Sequence, residues 1–295
     1  MRHKLFGLML VIILLLLLAC SNLQFNTPTT VLSPSGSPTT SGSESTEKPS
    51  SSTSTPIIRL SRNGVFCPSE NEDAQKSYND ANILKENGKF AEAEELYLKA
   101  IELDPNYCDA MDNLGQLLRQ QNRISEAIDW YKKSLEIMPD NTVALQNLAL
   151  AYDLDGKTEK AIEEYEKLVE VAPENPEGYF GLGNIYVRLE QPEKAIEYLE
   201  MAEKIYAQDG SPYLADAQYY LGLSHFMLQN CVDARKYLEP IYAQFSEDGG
   251  INYVLGVCYL STEPPDVNAA RDYILKAQEL GIQIPADVLS AINDN

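Results

Sequence analysis

Alanine returns on a fixed beat in this chain: Ala93, Ala127, Ala161 and Ala195 stand 34 residues apart. A repeat of that length marks a stack of two-helix units, because one helix pair cannot bury its apolar face alone and needs neighbours to cover it. An aromatic follows each of the first three alanines by four residues (Tyr97, Tyr131, Tyr165), with Leu199 in the fourth copy. That spacing puts a small and then a bulky side chain on one helix face. Proline closes the first three units at Pro105, Pro139 and Pro173. Lacking an N–H to donate, it stops each helix and lets the next begin.

A second small position precedes each alanine, at Ala81, Gly115, Ala149 and Gly183, with Leu114, Leu148 and Leu182 just before it in copies two to four. Small residues at both points let the two helices approach closely, while Leu84, Leu118, Tyr152 and Tyr186 fill the space around the crossing. Together these positions resemble the tetratricopeptide repeat family over about residues 74 to 281. The resemblance implies an all-α fold, a right-handed superhelical α-solenoid of stacked helix-turn-helix repeats with a C-terminal capping helix. The units run at about 74–107, 108–141, 142–175 and 176–209, followed by two looser copies at 215–248 and 249–281. The fifth copy, Leu221-Gly222 with Ala234 and Leu238, is displaced by five extra residues around Asp209–Tyr213, which are expected in a turn. The sixth, Leu255-Gly256 with Ala270 and Ile274, follows the loop Thr262–Asp266; the solenoid spans 66–281, and residues 282–295 hold the cap helix.

The chain opens with basic Arg2 and Lys4, an uncharged apolar run from Leu5 to Leu18, and Ala19-Cys20. The run is shorter than the roughly 20 residues a membrane span needs and suits a secretory signal over 1–19. Leu17-Leu18-Ala19-Cys20 resembles a bacterial lipobox, in which Cys20 is the lipid attachment point; an uncleaved N-terminal anchor is the other reading. Either way the repeats are expected outside the cytoplasm at a membrane surface, on the outer face of a cell membrane or on an outer membrane. Between Cys20 and residue 65, Ser, Thr and Pro dominate and leave too little apolar material for a core. Such a linker of disordered type would span about 35 to 40 Å root-mean-square.

With 44 acidic and 23 basic residues the chain carries a formal charge of −21, which argues against nucleic acid and against direct docking on anionic lipid. His225 is the only histidine beyond His3 and there is no CxxC, so no metal site and no cofactor are expected. His225 occupies the slot that holds Leu84, Leu118, Tyr152 and Tyr186, and reads as a packing residue. Four cysteines remain after Cys20. In an oxidising compartment they permit two disulfides, for which the repeat architecture favours Cys67–Cys108 and Cys231–Cys258; equally, all four read as small buried hydrophobes.

In the family that these residues resemble, the first helix of each unit lines a concave groove. The matching positions begin polar, with Tyr78, Asn82, Lys85, Asp112, Gln116 and Arg119. They end more apolar, with Leu150, Phe180, Asn184, Val187, Tyr219, Leu223, Phe226, Tyr253 and Val257. Aromatic and aliphatic side chains of this kind anchor protein interfaces. One subtype is excluded. Domains that clamp the C-terminal carboxylate of cytosolic heat-shock chaperones carry cations where this chain has Tyr78, Val143 and Asn147, and the remaining Asn82 and Asn113 cannot neutralise a carboxylate.

No phosphate-cradling glycine loop, GxSxG or HExxH occurs, and adjacent pairs such as Glu163-Glu164 diverge by about 100 degrees around a helix. The expected function is therefore a non-enzymatic, membrane-anchored adaptor that holds another envelope protein or an extended peptide. The alternatives are an accessory subunit of a pilus-secretin or outer-membrane assembly machine, and a module that binds glycan or peptidoglycan.

Overall fold

The computed structural model describes residues 59–61 and 64–293, so the signal, Cys20 and most of the linker lie outside the described residues. These residues fall into two compact units, one ending at Ser246 and the other beginning at Glu247. In the first, a short antiparallel hairpin of β1 (Arg59–Ser61) and β2 (Gly64–Phe66) precedes ten helices. These are α1 (Glu72–Glu86), α2 (Phe90–Leu103), α3 (Cys108–Gln120), α4 (Ile124–Ile137), α5 (Thr142–Leu154), α6 (Thr158–Val171), α7 (Pro176–Arg188), α8 (Pro192–Asp209), α9 (Leu214–Met227) and α10 (Cys231–Phe245). The second unit holds α11 (Gly249–Leu260), α12 (Val267–Glu279) and the short α13 (Ala286–Asn293).

The helices pack as consecutive hairpins, α1 on α2 through α11 on α12, and the 34-residue alanines lie at the crossings. Ala93, Ala127, Ala161, Ala195, Ala234 and Ala270 are all completely buried. The bulky residue four places later presses on the small position of the first helix. A β-carbon added at Gly115 would stand 2.5 Å from Tyr131 Cε1, and one at Gly183 2.5 Å from Leu199 Cγ, too close for any real side chain. Helices α2, α4 and α6 end two residues before Pro105, Pro139 and Pro173, as a residue ahead of proline avoids the helical region. Asparagine starts the next helix where it can: Asn71 and Asn141 each accept two backbone N–H bonds of the first turn, and Asn175 accepts one from Glu177.

One expectation about length needs correction. The extra residues before the fifth repeat do not all enter a turn, since α8 runs for 18 residues where α2, α4 and α6 run for 14. Ala207 stands where proline would complete the period, so the helix continues to Gly210, which ends it at φ 61°. In the second unit, α13 lays Val288 and Ile292 into the interior, and Arg271 of α12 donates through Nε to the Ile292 carbonyl at 2.8 Å. No described helix is long and apolar enough to cross a membrane.

Candidate functional site

The first helices of successive repeats, α3, α5, α7 and α9, lie side by side, and their shared face carries most of the groove positions named from the sequence. At its start the face is a polar network. Asn113 donates through Nδ2 to the Tyr78 hydroxyl at 2.6 Å and to Asn82 Oδ1 at 3.2 Å, and the Tyr97 hydroxyl donates to the same Asn82 oxygen at 2.5 Å. Asn82 and Asn113 are thus committed within the fold. The Tyr78 ring packs 5.0 Å from that of Tyr107, and burial pushes its phenol up to about 12. Lys85 donates through Nζ to Gln116 Oε1 at 2.8 Å, which accounts for a buried glutamine on this face.

Beneath this network Asp112 is 4% exposed. Its Oδ2 accepts from Asn141 Nδ2 at 2.7 Å while Oδ1 has no partner, and desolvation pushes the carboxyl up to about 7. The same Asn141 amide donates to Ser134 Oγ at 3.0 Å, and its own carbonyl oxygen caps α5. Asp112 is therefore a structural group more than a contact for a partner.

The face becomes less polar along α5, α7 and α9. Leu150, Phe180, Asn184, Val187 and Phe226 are half-buried. Phe180 meets Tyr206 and Tyr220 edge-on, with centroids 6.2 and 5.7 Å apart, and Asn184 accepts from Arg188 Nη1 at 3.1 Å. Tyr219 and Leu223 are buried, at 6% and 7% exposure, because Tyr219 packs between the rings of Tyr220 and Phe245. Within the second unit, Tyr253 of α11 is buried and Val257 half-buried.

Three acidic residues share this face without having been singled out in the sequence: Asp109, Glu177 and Asp216. Burial raises the carboxyl of each above the usual range. Asp109 Oδ1 accepts the Cys67 N–H at 2.9 Å, and Glu177 Oε1 accepts from the Tyr206 hydroxyl at 2.8 Å. The signal that could have found them is the period itself, since Asp109 and Glu177 hold one register position two repeats apart.

Cys67 and Cys108 form a disulfide with Cα atoms 5.3 Å apart, buried against Met138. It fastens the segment ahead of α1 to the start of α3. Cys231 and Cys258 are also disulfide-bonded cysteines. His225 stacks on Tyr237, centroids 5.5 Å apart and nearly parallel, and among the described residues no cluster of metal-ligating side chains occurs.

Family models described as tetratricopeptide repeats match residues 73–140, 130–163, 154–190 and 176–209. No curated protein matches the chain. Among solved structures, the fold is similar to YrrB, described as a TPR protein with an unusual peptide-binding site, at 24% identity and a TM-score of 0.53 over 63% of this chain and 92% of that one. It is similar also to PilF of Pseudomonas aeruginosa, at 18% identity and a TM-score of 0.62 over 71% and 92% of the two chains. The MamA protein matches at 21% identity and a TM-score of 0.51, over 61% and 95%.

Proposed function

Residues 73–209 are tetratricopeptide repeats, and from that premise we propose that the chain is a non-enzymatic adaptor that holds an extended segment of another cell-envelope protein along its first helices. In this reading it is exported and moored by lipid on Cys20, with the Ser/Thr/Pro-rich stretch to residue 65 as its tether. The observation that carries the proposal is the row of half-buried apolar side chains on adjacent helices: Leu150 on α5, Phe180 and Val187 on α7, and Phe226 on α9. Apolar groups gathered on one face and left partly open are what an interface uses as anchors. A peptide-binding site described for the similarly folded YrrB is in keeping with it.

The test is capture of envelope proteins by the full chain against the double variant Phe180→Ala, Phe226→Ala. Capture should be lost while far-UV circular dichroism keeps its helical signal. Undiminished capture by the variant would remove these residues from the interface, and binding to isolated wall polymer alone would favour a glycan-binding module instead.

A further inference from the structure

The chain lays one of its own segments across the first helices of the row. β2 precedes α1 in sequence, yet it lies against α5, the first helix of the third repeat. The next residue, Cys67, is bonded to Cys108 at the start of α3, and its backbone N–H donates to Asp109 Oδ1 at 2.9 Å. Farther on, the Ser69 hydroxyl donates to Asp104 and Asn71 Nδ2 to the Leu103 carbonyl at 3.1 Å, both at the end of α2. Residues 64–71 therefore run back along the row, from the third repeat to the first, before α1 begins.

A strand whose backbone N–H is held by a carboxylate of the groove face is bound as an extended peptide from another protein would be. Asp109, Val143 and Glu177 hold one register position in α3, α5 and α7, 34 residues apart. The segment takes the first of them at Cys67 and lies on the helix that carries the second. Other polar groups of this half are satisfied from within the fold: Asn113 bonds Tyr78, Asn82 accepts from Tyr97, Gln116 from Lys85 and Asp112 from Asn141. Farther along, Phe180 and Val187 on α7 stay half-buried. Cys67 is 3% exposed and Cys108 is completely buried. Thiol exchange needs an approach to sulfur that such burial denies, so the bond is a fixed latch.

We propose that residues 64–67 are a built-in ligand of the groove: an extended strap, latched by Cys67–Cys108, that closes the first half of the row to partners. A partner segment is then confined to the face from the latter half of α5 to α9. The strap stands on the chain's own contacts, and its effect on a partner rests on the reading of the groove as a holder of protein segments.

Photo-crosslinking of the full chain in envelope extract tests it, with benzoylphenylalanine introduced singly at Val143 or at Phe180 and the products mapped by mass spectrometry. With the disulfide intact, the Val143 probe should link to residues 64–67 of its own chain and the Phe180 probe to a second protein. Cys67→Ser with Cys108→Ser removes the latch and lowers the effective concentration of the strap. The intrachain link should then fall several-fold, and the Val143 probe should reach the protein that Phe180 captures. Should the serine pair lose its helical circular dichroism, replacing residues 59–66 by a Gly/Ser run of equal length keeps both cysteines and should open Val143 in the same way. A Val143 probe that never reaches 64–67, or that already captures the second protein with the disulfide intact, overturns the strap. An intrachain yield unchanged by a folded serine pair overturns the latch. Silence of the Phe180 probe overturns the groove reading alone, because the Val143 link needs no partner.

Discussion

Asp112 shows how one residue can couple this fold to pH. In the folded chain its carboxyl is pushed up to about 7 by burial, whereas its ordinary value is 3.8. Between those values the unfolded chain releases a proton that the folded chain keeps. Stability therefore falls as pH rises through that window, by up to about 1.4 kcal/mol per pH unit, and levels off above it. Asp112→Asn should remove this slope, because the amide can still accept from Asn141 and has no proton to lose. Urea midpoints measured from pH 5 to 8 should converge or cross for wild type and variant, and parallel lines would show that Asp112 ionises normally. Burial also raises Asp109, Glu177 and Asp216, so both proteins share those contributions and the difference isolates Asp112. The period in the sequence put Asp112 on the groove face but not at its depth, and Asp109, Glu177 and Asp216 were not singled out from it. Depth depends on how the side chains of each repeat close over one another: Asn141 and Ser134 close over Asp112, and Tyr220 and Phe245 enclose Tyr219. Tyr219 and Leu223 thus occupy groove register positions and yet are buried, while Phe180 and Phe226 remain half open.

At the scale of the element, the connection between the two helices of a repeat is the most uniform part of the chain. The backbone enters the left-handed region at Gly88, Asn122, Gly156, Glu190 and Gln229, with φ between 55° and 73°. The N–H of the following residue returns to the carbonyl five residues earlier, as from Lys89 to Leu84, Arg123 to Leu118, Lys157 to Tyr152, Gln191 to Tyr186 and Asn230 to His225, at 2.9 Å each time. This is a Schellman closure, and glycine suits it because a β-carbon there meets the backbone. Only Gly88 and Gly156 supply it. Glu190→Gly should therefore raise stability by about 0.5–1 kcal/mol and Gly156→Ala lower it by a similar amount, as read from chemical denaturation. Opposite signs are required; a destabilising Glu190→Gly would mean the side chain compensates for the strain. Boundaries set by proline were legible from the sequence, and α2, α4 and α6 stop where Pro105, Pro139 and Pro173 require. The end of α8 was not, because the proline of the period is missing at Ala207 and the stop signals, Gly210 and Pro212, stand farther along. The hairpin of β1 and β2 gave no sign either, lying in a stretch whose composition suggests no order.

For the whole molecule, charge is the property that the repeats do not balance. The chain has almost twice as many acidic as basic residues, and ion pairs such as Lys89 with Glu92 and Arg123 with Glu126 join exposed side chains. Pairs of that kind contribute about 0–1 kcal/mol each. Self-repulsion among the unpaired carboxylates acts over a longer range and opposes the compact state. Salt weakens both, but repulsion summed over many separated charges is lost first, as the Debye length shrinks to about 8 Å at physiological ionic strength. The midpoint of thermal unfolding should therefore rise as sodium chloride is added from very low salt to physiological levels at neutral pH. A potassium chloride series should match it, since screening does not depend on which monovalent cation is used. A midpoint that falls with salt would show that pairs such as Arg123 with Glu94 and Glu126 outweigh the excess of negative charge. The same titration on Lys85→Gln should lie at or below the wild-type curve at low salt, because removing a cation from an acidic array adds to the repulsion that the salt relieves.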